Sequence, residues 1–598
     1  MKRIHTMPFG ARILDDGSVL FRFFAPSARA VDLCLDDDFG GQNLYPMDLL
    51  PDGWFQIQHS LVGAGTLYRF RIDFGILVPD PASRAQRNDV HGPSIVVEPR
   101  DFLWKDGDWQ GRPWEEAIFY EIHTGTFSPA GTFAGIKERL PYLADLGITA
   151  IELMPIAAFP GVRNWGYDGV LLFAPDTSYG SPHDLKQLVQ TAHAMGIMVF
   201  LDVVYNHFGP EGNYLSLYAG DAFFTTEHHT PWGAAINFSG RNSKTVREFF
   251  IHNALYWLEE YHLDGLRLDA VHTLFDESQP DILEEIASSI SEGPGKTRQI
   301  HLVLENDNNE AHYLHRAADG SPQYYTAQWH DDLHHAFHVL LTGEKTGCYT
   351  DYTDDPLQLL GRCLTEGFAF KSSHLPPQAF VSFLQNHDQT GNRILGERLT
   401  ALVSEPLLRI AAALVLLAPL PPLLFMGEEF AATTPFFFFC DFAPELAEKV
   451  AEGRRQEFEW PLEYTDSTVP GSIPDPGAIE SFHRSCINWR EKEMQAGCRF
   501  LQLYKNLLSL RHKHIIPHLS NMKGGKAKYR IIGSRVLHAS WILGDGSELQ
   551  VVVNFATEAI STDTIPSLSE TILYSDPVIT ESPGKHGIIA PQSILWLS

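Results

Sequence analysis

The sequence predicts three domains: a central (β/α)8 TIM barrel with loop insertions, between an N-terminal immunoglobulin-like β-sandwich and a small C-terminal β domain. Three observations support this prediction: short alternating strands at the start, a long stretch in which apolar strands alternate with helices, and a β-rich tail. A chain of 598 residues has room for several domains, because single cores stop growing near about 250–300 residues. We expect these domains at residues 1–105, 106–500 and 501–598.

The two outer domains are predicted from short, partly alternating apolar segments that Gly, Pro and Asp separate. The N-terminal candidate strands are Val19–Phe24, Ala30–Leu35, Trp54–Ile57 and Leu67–Ile72. At the other end, a predicted helix over Leu501–His512 precedes candidate strands at Tyr529–Ile532, Val536–Trp541 and Leu549–Asn554.

The pattern changes at Ile118, where apolar strand segments begin to alternate with helical ones. An example is the predicted helix Gly135–Leu146, which Gly147 ends. Eight such strands predict a barrel with its active site at their carboxyl ends. The stretch from Asn206 to Phe238 predicts a lid-like excursion. The candidate strands are Ile118–Ile122, Thr149–Leu153, Ile197–Val203, Gly265–Ala270, His301–Glu305, Tyr324–Ala327, Ala379–Leu384 and Leu423–Met426.

Composition narrows the function classes. Lys and Arg number 45 against 74 Asp and Glu, a net charge of −29, which argues against nucleic acid or an anionic membrane as partner and leaves a neutral sugar compatible. The N-terminus has no apolar core typical of a secretory signal, and six scattered cysteines predict neither a zinc site nor a disulfide framework. We expect a cytoplasmic enzyme, monomeric or weakly dimeric, with no metal or cofactor; a structural calcium ion stays open.

The stretch Gly265–Ala270 carries the first chemical signal. Leu266 and Leu268 alternate with Arg267 and Asp269, so the charged pair shares one face of a short strand. An Arg at this spacing can lie beside the carboxylate and keep it ionised, which suits a nucleophile. The alternative interpretation is a salt bridge on an ordinary strand.

Two further strand ends also carry carboxylates, and they favour the catalytic interpretation over the salt bridge. Glu305 ends the fifth candidate strand, and Asp388 follows the seventh, next to His387. The third candidate strand ends in Asp202–His207. Paired carboxyl groups at one site are the equipment of glycoside hydrolysis. Asp269 is then the anion, and the apolar approach to Glu305, without a cation adjacent in sequence, favours a protonated acid. Asp388 would stabilise an oxocarbenium-like transition state.

These strand ends resemble, in order and spacing, the four signature regions of the α-amylase superfamily, glycoside hydrolase family 13. The resemblance implies a retaining mechanism, in which the two reacting carboxyl groups lie roughly 5–5.5 Å apart. It also implies an eight-stranded barrel flanked by β domains. The roles it implies are Asp269 as nucleophile, Glu305 as general acid/base, Asp388 as transition-state stabiliser, Arg267 as the invariant arginine, and Asp202, Asn206, His207 and His387 as supporting residues.

Finer motifs resemble those family members that cleave the α-1,4 bond next to a terminal trehalose unit and release trehalose. These motifs are Gly161–Val170, Asn206–Tyr214, Thr230–Phe238, Gln328–His335, Asn386–Arg393 and Leu424–Glu429. A glycogen branching or debranching enzyme is the nearest alternative, although branching enzymes usually carry an acidic residue where Gln389 stands. A non-catalytic glucan-binding protein is the alternative from another class. Asn306–Asn309, after Glu305, departs from the family pattern.

The same resemblance implies which residues contact the oligosaccharide substrate. Tyr167 resembles the aromatic that stacks under the donor sugar, whereas Trp232 and Trp329 have core packing as an alternative. The implied substrate-binding residues are Tyr167, His207, Arg267, Leu268, Ala270, Val271, His272, Trp329, His330, Asp331, Asp332, Leu333, His334, His387, Gln389, Thr390, Gly391 and Asn392.

Overall fold

Eight parallel strands close into a barrel at the centre of a computed structural model of the chain, and they follow one another around it in sequence order. Each is short and buried on both faces, because helices cover the outside and side chains fill the inside. We label these barrel strands β1 (Phe119–Ile122), β2 (Ala150–Leu153), β3 (Met198–Val203), β4 (Gly265–Leu268), β5 (His301–Leu304), β6 (Ala327–Trp329), β7 (Phe380–Phe383) and β8 (Pro422–Phe425).

The structure describes residues 1–2, 4–36, 41–230, 233–457, 473–561, 565, 568–569, 571–578 and 588–598. Trp232, whose part in substrate binding or in core packing the sequence left open, lies outside these residues.

The helices that surround the barrel begin and end at the signals that the sequence carries. Thr132 accepts from the Gly135 N–H at the start of one helix, and Ser181 and Asp184 form a reciprocal capping box at the next. Gly147 ends the first of these helices in the left-handed conformation, with φ of 104°. The α-helices of the described residues are Thr124–Phe127, Phe133–Leu146, Pro182–Ala194, Leu215–Tyr218, Gly220–Phe223, Ser243–Glu260, Ile282–Glu292, Asp331–Thr342, Pro356–Glu366, His387–Gly391, Leu399–Leu402, Glu405–Leu417, Pro444–Glu457, Ile479–Ser485 and Gln495–His514.

The sixth barrel strand lies further along the chain than the sequence predicts. Tyr325 was expected within it, but the Tyr325 N–H donates to the carbonyl of Tyr313 in the preceding loop, and its hydroxyl donates to Leu283. The strand forms instead at Ala327–Trp329. The aromatic pair at 324–325 therefore serves the loop, and Trp329 becomes a barrel residue.

The predicted β domains are present at both ends of the chain. The N-terminal sandwich packs a sheet in the order Gly10–Ile13, Val19–Phe24, Trp54–His59 and Asp48–Leu49 against Gln42–Pro46, Val31–Asp36, Leu67–Ile72 and Leu77–Val78, with Ser94–Ile95 beside Leu67–Ile72. The C-terminal sheet has the order Ala527–Ile532, Val536–Ile542, Glu548–Asn554, Ser593–Leu597 and Ile572–Asp576, and a separate pair joins Ile560–Ser561 to Ile588–Ile589.

Two hairpins extend from the barrel at its carboxyl end. Ala157–Ala158 pairs with Leu171–Pro175, and Phe224–Thr230 pairs with Gly233–Ile236 within the predicted excursion. None of the helices in the described part of the chain has the length and apolarity that a membrane-spanning helix needs.

Candidate active site

Arg267 lies at the centre of three carboxylates at the carboxyl ends of β3, β4 and β5. Its Nη1 donates to Asp202 Oδ2 at 2.6 Å and to Asp269 Oδ1 at 2.8 Å, and its Nη2 lies 2.8 Å from Glu305 Oε2. Burial lowers the pKa of Arg267, but the carboxylates of Asp202 and Glu305 outweigh burial and raise that pKa well above its usual range. The guanidinium is therefore a permanent cation that holds several strand ends together.

Asp269 follows directly after β4, and two hydrogen bonds fix its carboxylate. Oδ1 accepts from Arg267, and Oδ2 accepts from Asn206 Nδ2 at 2.9 Å. The side chain is 13% exposed, so one face of the carboxylate is open to the cleft. A fixed and accessible anion of this kind is suited to nucleophilic attack.

Glu305 is held on one oxygen only. Its Oε2 accepts from the Ala270 N–H at 2.8 Å and contacts Arg267, whereas no described residue forms a hydrogen bond with Oε1. Ala270 adopts the left-handed conformation, with φ of 40°, and such backbone strain is concentrated at functional sites. Oε1 is therefore the oxygen that can carry a proton towards a ligand.

The surroundings of Glu305 differ from the sequence-based expectation. Without a cation adjacent in sequence, the strand predicted an apolar environment that would favour the protonated acid. The apolar environment is not what the structure has, because Arg267 reaches Glu305 from the neighbouring strand β4. Glu305 and Asp269 instead share one guanidinium.

Asp388 and His387 follow β7 and lie on the same side of the barrel. Asn392 Nδ2 donates to Asp388 Oδ1 at 2.5 Å. Burial raises the pKa of Asp388; the His387 imidazolium lowers it, and the Glu305 carboxylate raises it again, so the net shift is upward. The Glu305 carboxylate is therefore near enough to Asp388 to affect the pKa of Asp388.

Tyr167 and His207 form the wall beside this group. The Tyr167 hydroxyl donates to Asp202 Oδ2 at 2.6 Å, and its ring stacks on His387 at 5.0 Å between centroids. His207 is hydrogen-bonded to Asn206 Oδ1 and to the Tyr167 carbonyl, and burial lowers its pKa to about 4. Tyr167 is half-buried, so its ring retains surface for a sugar.

Several of the implied substrate-binding residues do not face the cleft with their side chains. Trp329 is 1% exposed and packs under Arg267, whose guanidinium carbon lies 4.2 Å from its ring centroid. For Trp329 the core-packing alternative is therefore the one that the geometry favours. Five other side chains of this set are at most 4% exposed, and their part in substrate binding stays a prediction: Leu268, Val271, His330, Leu333 and His334.

Asp332 also differs from its expected place. It is 6% exposed; Oδ1 accepts from the Tyr352 hydroxyl at 2.5 Å, and Oδ2 accepts from the Ala369 N–H at 2.7 Å. Asn309, in the segment that departs from the family pattern, donates a longer bond of 3.3 Å to Oδ2. Asp332 therefore anchors the surrounding loops, and its oxygens are already occupied.

Asp331, which precedes Asp332 in sequence, is half-buried. Gln389 Nε2 lies 3.5 Å from Asp331 Oδ1 and 3.4 Å from His335 Nε2, which joins the loops after β6 and β7. Burial raises the pKa of Asp331 well above its usual range, and the Glu305 and Asp307 carboxylates raise it further. A carboxyl of this kind can donate as well as accept a hydrogen bond.

The remaining residues after β4 and β7 divide between surface and support. His272 is half-buried and lies 3.6 Å from Asp307, and Asn392 is half-buried beside Asp388. Thr390 and Gly391 are buried in a short helix. A Cβ at Gly391 would lie 2.1 Å from the ring of Trp165, so only glycine allows this approach.

A group of metal-ligand type lies away from these carboxylates. Asp281, Glu284 and His312, among the described residues, place one ligand atom each within 4.8 Å of one another. Both Asp281 oxygens already accept hydrogen bonds, from the Glu284 N–H and from the Tyr313 hydroxyl. Asp281 is therefore engaged as the N-terminal cap of the helix Ile282–Glu292.

Family models match three parts of the chain. The alpha-amylase catalytic domain matches residues 97–222, carbohydrate-binding module 48 (isoamylase N-terminal domain) matches residues 8–75, and a domain of unknown function, DUF3459, matches residues 524–596. The order of these matches agrees with a sandwich, a barrel and a C-terminal β domain.

Curated relatives match most of the chain. The malto-oligosyltrehalose trehalohydrolase of Saccharolobus solfataricus is 39% identical over 85% of this chain and 87% of its own length. The enzyme of the same name from Deinococcus radiodurans is 40% identical over 85% of this chain and 84% of its own length. The chain belongs to the malto-oligosyltrehalose trehalohydrolase family.

One solved structure resembles this trehalohydrolase-family chain over almost the whole length of both proteins. A protein described as a putative alpha amylase from Salmonella typhimurium is 41% identical, covers 99% of each chain and superposes with a TM-score of 0.92. Sandwich, barrel and C-terminal sheet therefore occur together in a solved protein.

Glu121 is a residue of this trehalohydrolase-family site that the sequence analysis missed. It lies in β1, is 1% exposed, and accepts from both the backbone N–H and the ring of His387. The only signal in sequence was a charged residue inside the apolar strand Ile118–Ile122. Its partner, 266 residues away, could not be read from the pattern.

Proposed function

We propose that this protein hydrolyses the α-1,4-glucosidic bond next to the terminal trehalose of maltooligosyltrehalose, with retention of configuration, and releases trehalose. The observation that carries the proposal is the contact of one guanidinium, Arg267, with both Asp269 and Glu305. Two carboxyl groups facing one site are what a retaining hydrolase needs. Relatives of the trehalohydrolase name that match 85% of this chain support the choice of substrate.

In the first step, Asp269 attacks the anomeric carbon of the sugar that precedes trehalose. The bond to the trehalose oxygen breaks, and Glu305 gives its proton from Oε1 to that oxygen, so trehalose leaves as a neutral alcohol. The glucan remains covalently bound to Asp269. Arg267 and Asn206 fix the nucleophile during this step.

In the second step, Glu305 removes a proton from water, and the water oxygen attacks the same carbon from the side that trehalose left. The ester bond to Asp269 breaks, and the shortened maltooligosaccharide is released with its original configuration. Asp388 and His387 would bind the hydroxyl groups of the distorted ring, and Tyr167 would stack under it.

The cellular compartment and the oligomeric state of the protein are part of the proposal. We infer a cytoplasmic enzyme that acts as a monomer or a weak homodimer on a free oligosaccharide. All six cysteines are unpaired and three of them are buried, as suits a reducing compartment.

Product analysis tests the function directly. Purified protein is incubated with maltooligosyltrehalose and, in parallel, with maltopentaose, and the products are separated by chromatography. We expect trehalose and a maltooligosaccharide from the first substrate at a much higher rate than any product from the second. Preference for maltopentaose, or transfer products with new α-1,6 branches, would contradict the proposal, and Asp269→Ala protein controls for contaminating activity.

Specificity for trehalose should depend on Asp331. Trehalose joins two anomeric carbons and is bent, so its recognition requires polar groups that an extended maltose unit would leave unpaired. Asp331→Ala is expected to lower kcat/KM for maltooligosyltrehalose by about tenfold more than for maltopentaose, since an unpaired buried group costs roughly 1–3 kcal/mol. Steady-state kinetics on both substrates measures this ratio.

Asp332→Ala is the matched control for that experiment. Because its oxygens hold Tyr352 and Ala369, its loss should lower the thermal midpoint of unfolding and affect both substrates to a similar degree. A ratio of losses that is the same for the two variants would remove Asp331 from trehalose recognition.

A further inference from the structure

Two glutamates lie side by side inside the barrel, directly below the loops of the site. Glu121 of β1 and Glu152 of β2 face each other in the register of the two strands, and both are 1% exposed. Both have the same side chain and the same burial, but their hydrogen-bond partners differ.

Glu121 is fully occupied by one histidine. Its Oε1 lies 2.5 Å from His387 Nδ1, and its Oε2 accepts from the His387 backbone N–H at 2.9 Å. With both oxygens on one residue, Glu121 fixes the ring and the backbone of His387 together. The Nδ1 atom is thereby held as a donor.

Glu152, in contrast, has no partner for either carboxyl oxygen among the described residues. Burial raises the pKa of Glu152 well above its usual range, the Asp202 and Glu121 carboxylates raise it further, and Arg267 lowers it only in part. Glu152 is therefore held in its protonated form, whereas Glu121 has both of its oxygens engaged by His387.

The charged groups around His387 determine its protonation. Glu121 faces it from β1, Asp388 from its own helix and Arg267 from β4. His123 lies in the loop after β1, and burial and His387 lower the pKa of His123. Burial lowers the pKa of His387, but the Glu121 carboxylate outweighs burial and raises it above its ordinary value; Asp388 adds to the rise and Arg267 opposes it. The ring also packs between Tyr167 and Trp165.

We propose that Glu121 is a positioning residue that keeps His387 as an imidazolium in a fixed orientation, so that the histidine donates a charge-assisted hydrogen bond to a sugar hydroxyl beside Asp388. This inference deepens the proposed function and rests on it for its catalytic meaning. Hydrogen bonds from a charged donor are roughly twice as strong as neutral ones, so the charge as well as the contact matters.

The direct test is the protonation of His387 itself. Histidine ring resonances of isotope-labelled protein are followed by NMR against pH, and His387 is assigned by its absence from His387→Gln protein. We expect Glu121→Gln to lower the titration midpoint of His387 by about one pH unit or more, and Glu152→Gln to leave it unchanged. An unchanged midpoint in Glu121→Gln would overturn the proposal.

The pH profile of kcat gives a second readout that a purely structural role would not move. Because the imidazolium is lost as pH rises through its pKa, Glu121→Gln should move the high-pH limb to lower pH and recover much of its activity in acid. Glu121→Asp, which keeps the charge, should retain the wild-type limb at a reduced rate. Loss of the same factor at every pH in Glu121→Gln would contradict the proposal.

The two proposals can fail separately. If wild-type protein does not cleave maltooligosyltrehalose, the proposed function is wrong, yet the NMR titration still decides whether Glu121 controls His387. Glu152→Gln replaces a neutral acid by a neutral amide of the same shape, so it also reports whether substitution at this depth disturbs folding.

Discussion

Asp269→Asn is expected to lower kcat by about four orders of magnitude or more while substrate still binds. The asparagine keeps the shape of the side chain and can accept from Arg267 through its amide oxygen. It cannot form the glycosyl ester, because a neutral amide is a poor nucleophile. Steady-state kinetics on maltooligosyltrehalose measures the loss, and calorimetric titration with the same substrate measures the retained binding.

Asp307→Asn is the matched control for this variant. Asp307 lies in the loop after β5, and its side chain is 63% exposed, so the same chemical change there should leave kcat within a few-fold of wild type. Activity of Asp269→Asn within tenfold of the parent protein would remove Asp269 from the role of nucleophile.

The architecture and the carboxylates could be predicted because both depend on local patterns. Seven of the eight barrel strands lie where apolar segments indicate them, and Arg267 and Asp269 meet because residues two apart share a strand face. The sixth strand could not be predicted, since the aromatic residues Tyr324 and Tyr325 have the same strand propensity whether they pair with the barrel or with a loop.

Contacts between different strands and loops could not be predicted from the sequence, for a different reason. Glu305 appeared to have no cationic neighbour and Glu121 was missed, because Arg267 and His387 approach them from other strands or loops. Asp331 and Asp332 are adjacent in sequence, but one is half-buried and the other has its oxygens occupied by Tyr352 and Ala369. Which of two neighbours faces a ligand depends on the packing of distant loops.

Glu305→Gln is expected to abolish hydrolysis of maltooligosyltrehalose, by about three orders of magnitude or more, and to spare the first step on activated substrates. In the variant, the amide oxygen can accept from Ala270 and Arg267 in place of Oε2, so the geometry is kept. The amide nitrogen then occupies the place of Oε1, where it can donate a hydrogen bond but cannot release a proton to the trehalose oxygen.

Fluoride and aryl leaving groups depart with little protonic help, so the variant should still form the glycosyl ester from an α-maltosyl fluoride. The second step lacks its base, and the ester is expected to accumulate. A burst of fluoride release, equal to the amount of protein and followed by a slow steady state, is the result we expect, together with a matching mass increase on the protein. Wild-type protein should show no burst, and Asp269→Asn should release no fluoride by this route. Equal losses on the fluoride and on maltooligosyltrehalose would mean that Glu305 is not the general acid, and that Arg267 organises a different pair of carboxylates around the scissile bond.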